Sequence, residues 1–199
     1  MTPDPQRRPV LALLLSTDAL LIALHLLAAP DVPALDISRD YTVPEFVTYL
    51  KLLATVLLLI RAGVRAWPVI FAYLLLDDVL RLHEFFGEGL VRLIDDPNRH
   101  LLRGLRTEDL GELAILLAAA IPLLALLITS YRRGSPPSRR TDRRLALLLL
   151  TWAFFSIGID LLSATFSAPT LPLIEDAGEL ITLTLITTYA SSLSTDEKT

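Results

Sequence analysis

The sequence contains no cysteine, which removes disulfide scaffolding, thiolate-zinc sites and thiol catalysis together. Any metal centre would have to be built from His, Asp or Glu, and the chain has only three histidines. No phosphate loop, dinucleotide fingerprint, HExxH or G-x-S-x-G is present, so the common nucleotide-binding, zinc-protease and serine-hydrolase signatures are missing. The paired Glu-x-x-His motifs of di-iron bundles are absent as well. Charge is sparse: 20% of the 199 residues are charged and 53% are hydrophobic, with a mean hydropathy of +0.54. That balance is too apolar for an ordinary soluble domain, and the net charge of -4 argues against nucleic acid as a partner.

Long apolar runs are what the chain does have. A bilayer core of about 30 Å needs roughly 20 mostly apolar helical residues, and six segments meet that rule: 9–28, 44–63, 67–87, 109–131, 145–166 and 171–192. The expected fold is an all-α polytopic integral membrane bundle of six transmembrane helices. The third and sixth spans carry enough charge that a four-span bundle with two surface helices is the alternative. The first span could be mistaken for a signal peptide ending near Ala28-Ala29-Pro30, but its length and the internal Asp18 and His25 favour an uncleaved anchor. Arg7 and Arg8, Arg61 and Arg65, and the run from Arg132 to Arg144 fall in alternate loops. The positive-inside rule then places both termini in the cytoplasm of a multipass protein of the cell membrane.

One transmembrane domain, 1–199, divides into a hairpin at 1–66, a second at 67–131, a basic cytoplasmic linker at 132–144 and a third hairpin at 145–193. Glu108-Asp109-Leu110-Gly111-Glu112-Leu113 and Glu175-Asp176-Ala177-Gly178-Glu179-Leu180 share the pattern E-D-x-G-E-L at the start of the fourth and sixth spans. Asp78 and Asp160 occupy comparable places one span earlier, so hairpins 3-4 and 5-6 read as parallel repeats. Asp18 and Glu45, with Tyr49 in place of the second Glu, suggest a weaker copy in hairpin 1-2.

In this topology the intramembrane ionisable residues gather in the extracytoplasmic half. Asp18 and His25 lie on the first span, Asp77, Asp78, Arg81, His83 and Glu84 on the third, Glu108 and Glu112 on the fourth, Asp160 on the fifth, and Glu175 and Glu179 on the sixth. At about 100° per residue, Asp77, Arg81 and Glu84 share a stripe while His83 points about 120° from Asp77, so His83 and Glu84 reach one centre only if the helix unwinds near Gly87 and Gly89. Ordinary explanations exist for several of these residues. Arg81 could pair with Asp77 and Glu84 along its own helix, acids at helix starts complement the macrodipole, and Gly111 and Gly178 could serve close packing.

A charge at mid-span costs about 2.5–3.5 kcal/mol on insertion scales and usually marks function. Because carboxylates outnumber cations here, the expected site binds a proton or a divalent cation for transport, through Glu84, Glu112, Asp160 and Glu179 with His83, Glu108 and Glu175. Asp18, His25, Asp77 and Asp78 would carry protons or charge inward, with Arg81 a further secondary residue of the site. A membrane-embedded metal hydrolase or lipid-modifying enzyme using His25 and His83 is the second reading, and a structural or assembly subunit of a membrane complex the third. The expected partners are the bilayer and a cation or a small-molecule or lipid substrate, with a divalent metal as the one cofactor in view and a second copy of the chain left open. The cytoplasmic halves of the last three spans offer only Thr182, Thr184, Thr187 and Thr188 as a polar track.

Overall fold

The computed structural model describes residues 7–39, 41–94, 100–102, 105–166, 168 and 170–196. Helix α1 runs from Arg7–Ala28, α2 from Val43–Arg61, α3 from Trp67–Leu80, α4 from Leu82–Ile94 and α5 from Thr107–Arg133. Helix α6, Pro136–Ala153, continues through a π-helical segment, Phe154–Ile159, into α7, Asp160–Phe166, and α8 spans Leu171–Asp196. A 3-10 turn at Pro33–Leu35 links α1 to α2, and a two-stranded ribbon, His100–Leu102 with Leu105–Arg106, precedes α5. Among the described residues all other regular structure is helical.

Four helical stretches are long and apolar enough to cross a membrane: 8–28, 43–61, 110–133 and 136–163. Their outward faces are lined with exposed leucine, isoleucine and valine, among them Leu13, Leu57, Ile121 and Leu147. Contiguous apolar surface on this scale is a large cost in water and none in hydrocarbon. Helix α8, read from sequence as the sixth span, is long enough but spends its apolar capacity differently. It is the central element, touching α1, α2, α6, the π segment and α7, and its buried face carries Thr182, Thr184, Thr187 and Thr188 between Leu183, Ile186 and Ala190.

The apolar core joins Leu52, Val56 and Leu59 of α2, Trp67, Ile70 and Phe71 of α3, Leu145 of α6, and Leu183, Ile186, Tyr189 and Ala190 of α8. Polar contacts set its register. Trp67 Nε1 donates to Asp142 Oδ1 at 2.9 Å, and the Thr55 and Thr187 hydroxyls meet at 2.9 Å. Asp18 and Lys51, 1% and 3% exposed, form an ion pair between α1 and α2. Thr184 donates to the other Asp18 oxygen at 2.6 Å, and Lys51 Nζ also reaches the Leu180 carbonyl at 3.3 Å. Two members of the expected threonine track, Thr184 and Thr187, are therefore used in helix packing, where hydroxyl bonds between helices have their ordinary membrane role; Thr188 is buried with its hydroxyl unpartnered.

Two sequence expectations give way. The span at 67–87 is not one helix, because Arg81 adopts a left-handed conformation, φ 50° and ψ 45°, that separates α3 from α4. The segment 132–144 is not a flexible linker either: α5 runs through Arg133 and α6 starts at Pro136, so only Gly134 and Ser135 break the helix. Pro136 and Pro137 occupy the first turn, where the missing N–H costs nothing, and so start a helix instead of ending one. Arg139 then donates to the Tyr131 and Arg132 carbonyls at 3.1 Å, capping α5.

Removing one member of a buried ion pair strands the other charge, at a cost of about 3–5 kcal/mol. Lys51→Met and Asp18→Leu are each expected to lower the thermal stability of the detergent-solubilised protein by that order. The double variant should recover most of the loss, which a double-mutant cycle of melting curves measures; additive losses would show that the pair is not coupled.

Candidate functional site

The break at Arg81 builds one wall of the site. A left-handed non-glycine residue costs about 1–2 kcal/mol, and neighbouring polar contacts offset it. Asp77, buried in the last turn of α3, accepts the His83 backbone N–H at 3.1 Å and lies 2.9 Å from His83 Nδ1 through its other oxygen. The Tyr73 hydroxyl stands 3.5 Å from the same carboxylate. Arg81 grips Glu84 through both of its oxygens, at 2.8 and 2.7 Å. A continuous helix would have turned His83 away from Asp77; the break at Arg81, not unwinding at Gly87 and Gly89, puts them in contact.

Helices α4 and α5 then meet at two glycines. A Cβ on Gly111 would lie 2.6 Å from the Gly87 carbonyl oxygen, and one on Gly87 would lie 2.7 Å from the Glu112 backbone nitrogen. In the matching motif, a Cβ on Gly178 would collide with the Phe155 ring of the π segment. Both motif glycines thus serve helix approach, and each brings the glutamate that follows it to the same cavity. The π segment contributes Ser156, which hydrogen-bonds to Glu179. A π turn holds an extra residue, and such turns recur at functional sites.

The cavity has a volume of about 780 Å³. Asp77, Asp78, Glu84, Glu112, Asp160, Glu175 and Glu179 line it with His83, and no lysine or arginine is among its described lining residues. Beyond this acidic end the walls are Leu116, Ala120, Leu123, Leu124 and Leu127 of α5, Leu149 of α6 and Leu74 of α3. Of the residues selected from sequence, the structure brings together Glu84, Glu112, Asp160, Glu179, His83, Glu175, Asp77 and Asp78. The side chain of Glu108 lies outside those described. Arg81 pairs with Glu84, consistent with the ion-pair explanation of its presence, while Asp77 serves His83.

Asp18 and His25 do not join the site. Asp18 is paired with Lys51 and Thr184 and is not among the described lining residues of the cavity. His25 belongs to the α1–α2 connection, where the Ile37 N–H donates to its Nδ1 at 3.2 Å and Asp36 Oδ1 lies at 3.2 Å. The weaker motif copy in α2 turns inward on itself, with the Tyr49 hydroxyl donating to Glu45. A second, polar pocket of about 190 Å³ lies beside the cavity and shares Asp78 and Glu179 with it. Its rim includes Ser38, Glu45 and Asp176, and Ser38 donates to Asp176. Sequence reasoning missed Tyr73, whose spacing of one helical turn from Asp77 was a usable signal, and Ser38, which lies 138 residues from Asp176 and gave none.

Among the described residues no group of three His, Asp or Glu side chains is arranged to hold a metal ion. The two membrane histidines sit at separate places, His83 on Asp77 and His25 beside Asp36.

Overpacking a close helix contact costs about 1–3 kcal/mol. Gly111→Leu is expected to destabilise the protein by at least that order and to separate α4 from α5, whereas Gly89→Leu, with nothing within 4 Å of the new Cβ, should melt like the parent. Thermal unfolding of the two variants side by side checks this, and equal melting would remove the assigned packing role.

No curated protein and no solved structure matches the chain. One family does, over residues 13–193, and on that coverage the chain belongs to the family described as domain of unknown function DUF8692.

Proposed function

We propose that this is a six-segment integral membrane protein whose acidic cavity binds a cation in the extracytoplasmic half of the bilayer, as a step in moving that cation or a cationic molecule. The six segments are α1, α2, the bent α3–α4 pair, α5, the α6–α7 run and α8. On this reading both termini are cytoplasmic, because Arg8, Arg61 with Arg65, and the arginines from 132 to 144 fall in alternate connections between the six segments, which the positive-inside rule assigns to that side.

The observation that carries the binding reading is the cavity's described lining: seven carboxylates, one imidazole and, among those residues, no lysine or arginine. Such a concentration of like charge, beyond what Arg81 and His83 offset at Glu84 and Asp77, favours neutralisation by protons or by a bound cation. Glu112 and Glu179 are delivered to the cavity from two helices by the same motif, and Asp160 and Glu175 line it with them. A resident divalent metal is the less favoured cation, since no three-ligand group is present among the described residues. The same fact weighs against the metal-hydrolase alternative.

In proteoliposomes the protein is expected to bind at least one of Na⁺, Mn²⁺ and methylammonium saturably. Replacing Glu112 and Glu179 together with Gln should weaken that binding about tenfold or more, with helicity by circular dichroism unchanged. Absence of binding across the panel, or binding indifferent to the double substitution, would overturn the reading. Elemental analysis of the purified protein separates a tightly held metal from an exchangeable cation.

A further inference from the structure

We infer that the natural ligand of the cavity is an amphiphile: an ammonium head carried on an apolar tail, without a phosphate. The inference rests on the cation-binding reading above and extends it from the charge of the ligand to its shape.

Size is the first argument. At about 30 Å³ per water in the liquid, the 780 Å³ cavity has room for roughly two dozen waters, far more than one ion with a partial hydration shell requires, and within the range of sites for small molecules. The second argument is the division of the walls. The carboxylates sit at one end, while Leu116, Ala120, Leu123 and Leu127 of α5 face Leu149 and Leu74 at the other. Water is poorly held against such apolar walls, and a hydrated ion passing along them would meet few polar groups: Trp152 offers a ring N–H beside Leu149, while Thr184 and Thr187 of α8 are hydrogen-bonded to Asp18 and Thr55. A hydrocarbon tail fits where an ion path does not.

Access agrees with this division. Helices α3 and α5 both line the cavity but make no sustained contact with each other, so a tail can enter from the side, out of the bilayer. The head meets Asp78 and Glu179, which also line the smaller polar pocket. Charge selects the head. A phosphate would lie against the carboxylates with no lysine or arginine among the described lining residues to receive it, and like-charge juxtaposition of this kind is strongly unfavourable.

The test compares dodecylammonium, methylammonium and dodecyl phosphate as probes of the full chain in nanodiscs, with a tail-diazirine dodecylammonium for photolabelling. Dodecylammonium is expected to bind saturably and to label residues between 116 and 127. It should weaken about 30-fold in the Glu112→Gln, Glu179→Gln double variant, the effect of removing partners of a buried charge. Ala120→Trp, which fills the apolar end, should abolish dodecylammonium labelling and leave methylammonium binding intact. If methylammonium binds and labelling by the tailed probe is indifferent to Ala120→Trp, the amphiphile inference falls and the cation site stands. If no ammonium binds and no metal cation does, both fall. Equal binding of dodecyl phosphate, or labelling unaffected by the double Gln substitution, means partition into lipid and overturns the inference.

Discussion

The ion pair of Asp18 with Lys51, closed by Thr184, is the contact on which the arrangement of the bundle depends. It joins α1, α2 and α8 at one depth, and in this register both buried charges are satisfied. In lipid, apolar faces give little direction to helix association, because hydrocarbon outside is as good a neighbour as a leucine inside. Direction has to come from polar groups that must find each other. The threonines of α8 extend the same constraint along the seam, with Thr187 meeting Thr55 one turn further on.

Fixing α8 against α1 and α2 leaves its other side for the π segment and α7, and there the second set of charges appears. The two sets obey different rules. Asp18 has a cation built in and is closed to ligands, whereas the cavity acids converge from five helices with one imidazole among them. The strain at Arg81 belongs to this second set. A left-handed arginine is tolerated because Glu84 holds its side chain and Asp77 caps the start of α4. The result is a bend that a straight span would not supply, and with it the approach of α4 to α5 at Gly87 and Gly111.

Helix α5 occupies an unusual position. It carries one copy of the shared motif, as α8 does, yet α8 is the hub of the bundle and α5 is held chiefly by α4. None of the apolar window of α5 is buried. Similar sequences thus occupy different environments: α8 has threonines to pair and α5 has leucines to leave exposed. The loose seating of α5 is what leaves the cavity its apolar end, a consequence of too few polar groups on that helix to draw it inward.

The helical class, the membrane-length apolar runs and most of the cavity acids were legible in the sequence, because hydropathy and a 3.6-residue period are local properties of the chain. Glu112 and Glu179 could be selected together from a repeated pattern, and the packing use of Gly111 and Gly178 followed from their size. Three things were not legible. The break at Arg81 depends on the pairing of Asp77 with His83 across it, and a left-handed arginine has no propensity signal. The prolines at 136 and 137 read as a linker because proline breaks or starts a helix according to what precedes it. The exclusion of Asp18 and His25 from the site was decided by which charge each one meets, Lys51 in one case and the 36–37 turn in the other. Sequence determined which residues had to be neutralised; only the tertiary structure decided by what, since compensation of a buried charge is a property of distance and not of order along the chain.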